Sequence, residues 1–270
     1  MVGLLRKRRS ARLWLGLLPV MLMLAPGCSG SRARLSGTAE SHFADGEMLF
    51  ARGKWDNAAE EFNWVVLNNP AHDLAAEAQY FYAECLYQQR LYVEAQLEFE
   101  RLLRRWAAGG RMVQARYRIV QSLVAQSPKY YYQQTATEDA LEELQAFIDE
   151  FPESAQKPEA EQLILDLRSK LARKLYESGR QYLKWRVGQS ARLYFEQVLD
   201  RYYDTPYASQ ALTGIVISYI VEEDLDGAEA YLAEISDQYA DAALREQDAQ
   251  FIAAAREGKF DLALFFKIYQ

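Results

Sequence analysis

Six alanines recur at positions 58, 95, 140, 191, 228 and 263, separated by 37, 45, 51, 37 and 35 residues. Self-similarity at such a period restricts a chain more than any composition does. A unit this short buries too little apolar surface by itself and has to stack on copies of itself. The alanines also share neighbours. Four residues after them stand Phe62, Phe99, Leu144, Phe195 and Leu232, which is one turn of helix on the same face. Twelve residues ahead of three of them stand small residues, Gly46, Ala83 and Gly179. Gly53-Lys54-Trp55 and Gly258-Lys259-Phe260 lie between helical stretches as turns, and Pro70 and Pro152 close units. Two antiparallel helices need these parts: a small residue where they cross, a large apolar side chain to fill the gap, and a breaker at the exit.

This is the pattern of the tetratricopeptide repeat. The predicted fold is all-α, a tetratricopeptide-repeat superhelix of about five helix pairs plus a partial C-terminal pair. The third unit is interrupted. Its first helix, about 111 to 126, aligns Tyr117 with Tyr80, and its second resumes at Ala140 after an inserted loop, 127 to 136. The 51-residue interval that follows holds Pro158 and then Leu163, Leu167, Leu171 and Leu175 at every fourth position, with no Pro or Gly until Gly179. This predicts one long helix from about 158 to 185, the alternative being two helices broken near Ser169. The chain then divides into an N-terminal module of three repeats, 39–156, and a C-terminal module with the bridging helix, 157–270.

The N-terminus carries an address. Arg6, Lys7, Arg8, Arg9 and Arg12 precede an apolar run from Leu13 to Ala25, too short to span a bilayer and typical of a secretory signal. Gly27-Cys28 follows and resembles the bacterial lipobox, although Leu24 sits one position early and Pro26 is unusual there. The expectation is a signal peptide over 1–27, lipidation of Cys28, and a small, polar tether over 28–38. Ser29 in place of Asp implies sorting to the outer membrane. Removing the five basic leader residues leaves 26 basic against 38 acidic residues, a net charge of −12. That sign argues against a nucleic-acid partner. Cys85, the other thiol, falls on an apolar helix face and reads as a buried small residue.

Eighteen Tyr, 12 Phe and 5 Trp are a heavy aromatic load, which must either fill gaps between helices or line a recognition surface. Stacked pairs leave a concave wall made by the first helix of each. Its outward positions are Phe43, Glu47 and Phe50 in unit one, Tyr80, Glu84 and Tyr87 in unit two, and Tyr117, Gln121 and Val124 in unit three. Phe43, Glu47, Phe50, Tyr80, Glu84, Tyr87 and Tyr117 are therefore the candidate peptide-binding groove. The alternative is that neighbouring repeats, the tether or the loop tyrosines 130 to 132 cover these rings. The chain's last stretch, Phe260 to Tyr269, is apolar on nearly every face; it either folds back on unit five or is covered by another protein.

No catalytic constellation is present, and no cofactor or metal is expected. His42 and His72 have no Cys or carboxylate partner at ligand spacing. Glu60-Glu61 and Glu222-Glu223 read as solvated helix faces. An adaptor is indicated, not an enzyme.

Signal, repeats and loop together resemble the BamD family of lipoproteins. The resemblance is carried by Ser127-Pro-Lys-Tyr130, by Gln133-Gln-Thr-Ala-Thr137, by the stretch from Ala140 to Phe151-Pro-Glu-Ser154, and by Asp204-Thr205. It covers about 39 to 240 and looks like the version found in Bacteroidota-type relatives. What it implies is an N-terminal groove that receives unfolded outer-membrane β-barrel proteins and a C-terminal half that docks on a POTRA domain of BamA. The body would be held by its lipid at the periplasmic face of the outer membrane. A different repeat lipoprotein, scaffolding a secretion or cell-wall complex, is the competing reading, though such proteins usually lack the interrupted third unit.

Overall fold

The computed structural model describes residues 37–106, 110–238 and 242–269. The signal segment, Cys28 and nearly all of the tether lie outside the described residues. From Ala39 onward the chain forms one compact unit. Its helices are α1 (Ala39–Ala51), α2 (Trp55–Asn68), α3 (Ala75–Gln88), α4 (Tyr92–Arg105), α5 (Met112–Gln126) and α6 (Thr135–Glu150), then α7 (Lys157–Lys184), α8 (Gly188–Tyr202), α9 (Tyr207–Val221), α10 (Leu225–Glu234), α11 (Ala242–Arg256) and α12 (Leu262–Ile268). Each helix from α1 to α10 packs on the next in sequence; α7 also touches α9, and α9 touches α11. The architecture is the all-α, paired-helix solenoid that the spacing predicts.

The repeating contact is the expected one. Ala58, Ala95, Ala140, Ala191 and Ala228 have no exposed surface, nor do Phe62, Phe99, Leu144 and Phe195. The small residue of the first helix lies against the ring of the second. A methyl carbon added at Gly46 would sit 2.8 Å from Phe62 Cε1, and one at Gly179 would sit 2.6 Å from Phe195 Cε1.

The turns repeat as well. Gly53, Arg90, Arg186, Glu223 and Gly258 all have φ between 58° and 68°. At each, that residue's N–H donates three residues back and the following N–H donates five back, as in Lys54 to Leu49 and Val187 to Tyr182. This closes the last carbonyls of the first helix in a Schellman motif. Only two of the five positions are glycine.

Helix α7 runs unbroken for 28 residues, about 42 Å at 1.5 Å per residue. Ala160 and Leu167 belong to the core of the third unit with Tyr117, Leu144 and Phe147. Ala172, Tyr176 and Leu183 belong to the C-terminal core with Phe195, Ile217 and Phe265.

Two local readings differ from the sequence. Glu61 is not solvated: it is 6% exposed and sits 2.6 Å from His42 Nδ1, with Trp64 stacked on the imidazole at 3.8 Å. His72 likewise meets Glu40 at 2.9 Å. The partners lie on different helices or loops, so sequence spacing did not reveal them. The sixth alanine, Ala263, is exposed, because α12 does not repeat the packing of the earlier second helices. Cys85 is buried as expected, and burial pushes its thiol up to about 12.

Candidate functional site

The seven candidate residues lie on α1, α3 and α5, the first helices of units one to three, and at different depths. Phe43 is 8% exposed, Tyr80 8% and Tyr117 6%, so these rings lie mainly under neighbouring side chains. Phe43 meets Phe62 at 5.4 Å and Phe81 at 6.1 Å. Tyr117 meets Phe147 at 5.1 Å. Glu47 is exposed, and Phe50 and Tyr87 are half-buried. Phe50 is held edge-on by Trp55 at 4.8 Å and Phe81 at 5.4 Å.

What covers Tyr80 and Tyr87 is a pair of arginines, Arg111 at the start of α5 and Arg118 within it. Arg111 lies over the Tyr80 ring at 4.6 Å and Arg118 over the Tyr87 ring at 4.8 Å. Both are fixed by carboxylates of α3. Arg111 grips Glu77 with its Nε at 2.8 and 2.9 Å and with its Nη2. Arg118 donates to Glu84 at 2.7 Å, and the same Glu84 oxygen accepts from Gln88 at 2.9 Å. The other Glu84 oxygen is buried with no hydrogen-bond partner. Burial, and secondarily the Glu84 charge, hold the Tyr80 phenol above its ordinary pKa. Burial raises Tyr87 also, against the opposing charge of Arg118. The hydrogen bond to Glu77 holds the Arg111 guanidinium above its usual range.

Around α3 the surface is thus one of rings with guanidinium covers, and Glu47, Phe50 and Tyr87 keep exposed surface. It can offer flat apolar faces and charge-assisted hydrogen bonds to a polypeptide. Among the described residues no group of three His, Cys, Asp or Glu side chains could hold a metal ion. Sequence reasoning missed Arg111 and Arg118. Each stands 34 residues after its carboxylate partner, about one helical turn short of the 37-residue register that aligns Tyr117 with Tyr80, so aligning equivalent positions does not pair them.

The inserted loop is built and pinned. The Gln134 amide donates to the carbonyls of Lys129 at 2.9 Å, Tyr130 at 3.2 Å and Tyr132 at 2.9 Å. Lys170 and Lys174 of α7 reach Ser127 Oγ at 2.7 Å and the Tyr132 carbonyl at 2.9 Å. Arg173 lies over the Tyr130 ring at 4.2 Å. The loop tyrosines therefore stand against α7, with Tyr131 and Tyr132 more than half exposed.

Comparison with known proteins gives the following. The chain is similar to the outer membrane protein assembly factor BamD of Rickettsia prowazekii (strain Madrid E), at 25% identity over 197 residues, 73% of this chain and 78% of that protein. Two solved structures are also similar. One is a thermophilic TPR protein of Thermus thermophilus, at 20% identity and TM-score 0.35, covering 79% of this chain and 98% of that one. The other is a tetratricopeptide repeat protein of Parabacteroides merdae, at 13% identity and TM-score 0.35, covering 85% of this chain and 96% of that one. The family model for YfiO, described as outer membrane lipoprotein, matches residues 36–250. Most of the chain, from the end of the tether into α11, thus falls inside that match, and the protein belongs to the YfiO outer membrane lipoprotein family, in agreement with the BamD-family resemblance of its sequence.

Proposed function

We propose that the protein is a lipid-anchored periplasmic adaptor of the β-barrel assembly machinery. Cys28 carries the lipid, residues 28–38 are the tether, and the repeat body stands at the periplasmic face of the outer membrane. The N-terminal module, 39–156, receives unfolded outer-membrane β-barrel proteins along the wall of α1, α3 and α5. The C-terminal module, 157–270, docks on a POTRA domain of BamA.

The observation that carries this reading is the family match from residue 36 to 250, which runs through both modules. The likeness to a BamD over 73% of the chain supports it. The wall supports it chemically: rings half-covered by guanidinium groups give an extended strand both apolar contact and hydrogen-bond donors. With Phe43, Tyr80 and Tyr117 turned inward, the accessible part of the site is Glu47, Phe50 and Tyr87, and Glu84 acts by holding Arg118.

The test is direct. A fluorescent peptide with the C-terminal strand of an outer-membrane barrel is titrated onto the mature protein by anisotropy. Tyr87→Ala combined with Glu47→Lys is expected to weaken binding about tenfold, a loss of roughly 1.4 kcal/mol, with helix content unchanged by circular dichroism. Equal affinity would remove this wall from the site. Affinity purification from native membranes should recover a POTRA-bearing barrel; recovery of only a secretin or cell-wall enzymes would favour the scaffold alternative.

A further inference from the structure

Phe43 and Tyr80 each stand 15 residues ahead of their unit's repeating alanine, at an inner-wall position. In the last three units the residues 15 ahead of Ala191, Ala228 and Ala263 are Tyr176, Thr213 and Asp248. The three belong to α7, α9 and α11, the successive first helices of the C-terminal module.

These positions converge on residues of the chain's own last segment. The Tyr269 hydroxyl donates to Gln247 Oε1 at 2.8 Å and lies 3.4 Å from Thr213 Oγ1, which itself donates to Asp248 Oδ2 at 2.9 Å. Tyr176 shares the apolar cluster that holds Phe265 and Tyr269. One turn further along α7, Arg180 lies 5.5 Å from the centre of the Phe266 ring, and Lys184 lies 5.3 Å from it. The segment of α12 and Tyr269 therefore meets the inner wall of all three first helices. In this packing Ala263 is left exposed.

The lining joins the C-terminal core but is not uniformly apolar. Thr213 and Asp248 have no exposed surface and Arg180 is 8% exposed, so polar and charged groups are hidden beneath a short apolar segment. Burying such groups gains little stability over an apolar lining, whereas a surface that exchanges occupants needs them when it is bare. The segment is anchored by Phe265, which has no exposed surface, and by Tyr269, while the rest of it is short and open. A seven-residue helix is far below the length that persists alone, and α12 keeps Leu264 and Ile268 nearly half exposed on its outer face.

We infer that the inner wall of the C-terminal units is a second groove, selective for a short helical segment with aromatic residues four apart, as Phe265 and Tyr269 are, and that residues 260–269 occupy it in cis. A partner segment of the same chemistry takes the groove by displacing α12. This stands independently of the substrate reading for the N-terminal wall.

The experiment uses the full mature chain and, as probe, a fluorescent peptide of residues 259–270. A groove closed in cis binds more weakly by the fraction of molecules in which it is open. Phe266→Ala with Tyr269→Ala loosens the segment and is expected to tighten peptide binding about tenfold. Adding Arg180→Ala should remove the gain. Unchanged affinity in the loosened variant, with helix content intact, overturns the inference, as does a gain that survives Arg180→Ala. Should the loosened variant fail to fold, hydrogen exchange on the wild-type chain decides. Excess peptide must speed exchange at the amides of 262–268 and leave those of α9 unchanged, and no acceleration overturns the inference equally.

Discussion

At Gly179 the backbone of α7 comes so close to the Phe195 ring that even one methyl carbon has no room, and the fully buried ring has nowhere to retreat. Gly179→Ala gains helix propensity of about 1 kcal/mol but forces overpacking that costs typically about 1–3 kcal/mol. Net destabilisation of about 1 kcal/mol is expected, read as a lower urea midpoint at unchanged slope. Arg186 presents the opposite case. Its φ of 58° is strained for any residue with a β-carbon, and its side chain is exposed. Arg186→Gly relieves about 1 kcal/mol of that strain and returns part of it as unfolded-chain entropy. A gain of about 0.5 kcal/mol in thermal or urea unfolding is expected. The two positions also show what a sequence displays. Gly46 and Gly179 announce a close approach because nothing larger fits. The same left-handed turn at Arg90, Arg186 and Glu223 leaves no compositional trace, and only Gly53 and Gly258 were legible as turns.

Between elements, several links are ionic, and some of them fall about one repeat apart. Arg168 of α7 grips Asp204 just past the end of α8 through bonds of 2.7, 2.9 and 3.2 Å and also donates to the Arg201 carbonyl at 2.7 Å. The Arg168 hydrogen bonds hold the Asp204 carboxyl below its usual range. A carboxylate whose folded pKa is depressed stabilises above its unfolded pKa and loses that contribution as pH falls through the folded value. The wild-type protein should therefore lose up to about 1 kcal/mol as pH drops below about 4. Asp204→Asn should be less stable by a similar amount at pH 7 and show a flatter acid limb; parallel acid limbs in the two proteins would remove the pair from the account. The helices and the long α7 were legible because apolar residues recur at fixed intervals within one segment. Covers and pairs such as Arg118 on Glu84, or His42 on Glu61, were not, because they depend on how one hairpin sits on the next. Glu61 and its solvated neighbour Glu60 look alike until that register is known.

For the whole molecule, the family match and the resemblance of the leader to a lipobox lead to one measurement. Cys28→Ser is expected to shift the protein from the membrane pellet to the soluble periplasmic fraction; retention in membranes lacking BamA would show that something other than lipid moors it. The candidate wall was half legible. Its positions followed from the repeat register, but three of its rings are turned inward, and the arginines that cover Tyr80 and Tyr87 belong to the next unit. The tail announced itself through apolar residues on every face, yet only the fold shows which wall it lies on. The long helix α7 has a mechanical meaning. Its first turns are packed in one core and its last turns in the next, with no joint between them. The molecule is built like two rooms sharing a single beam: a tilt imposed on one end of that beam is carried to the other, because no joint lies between them to absorb it.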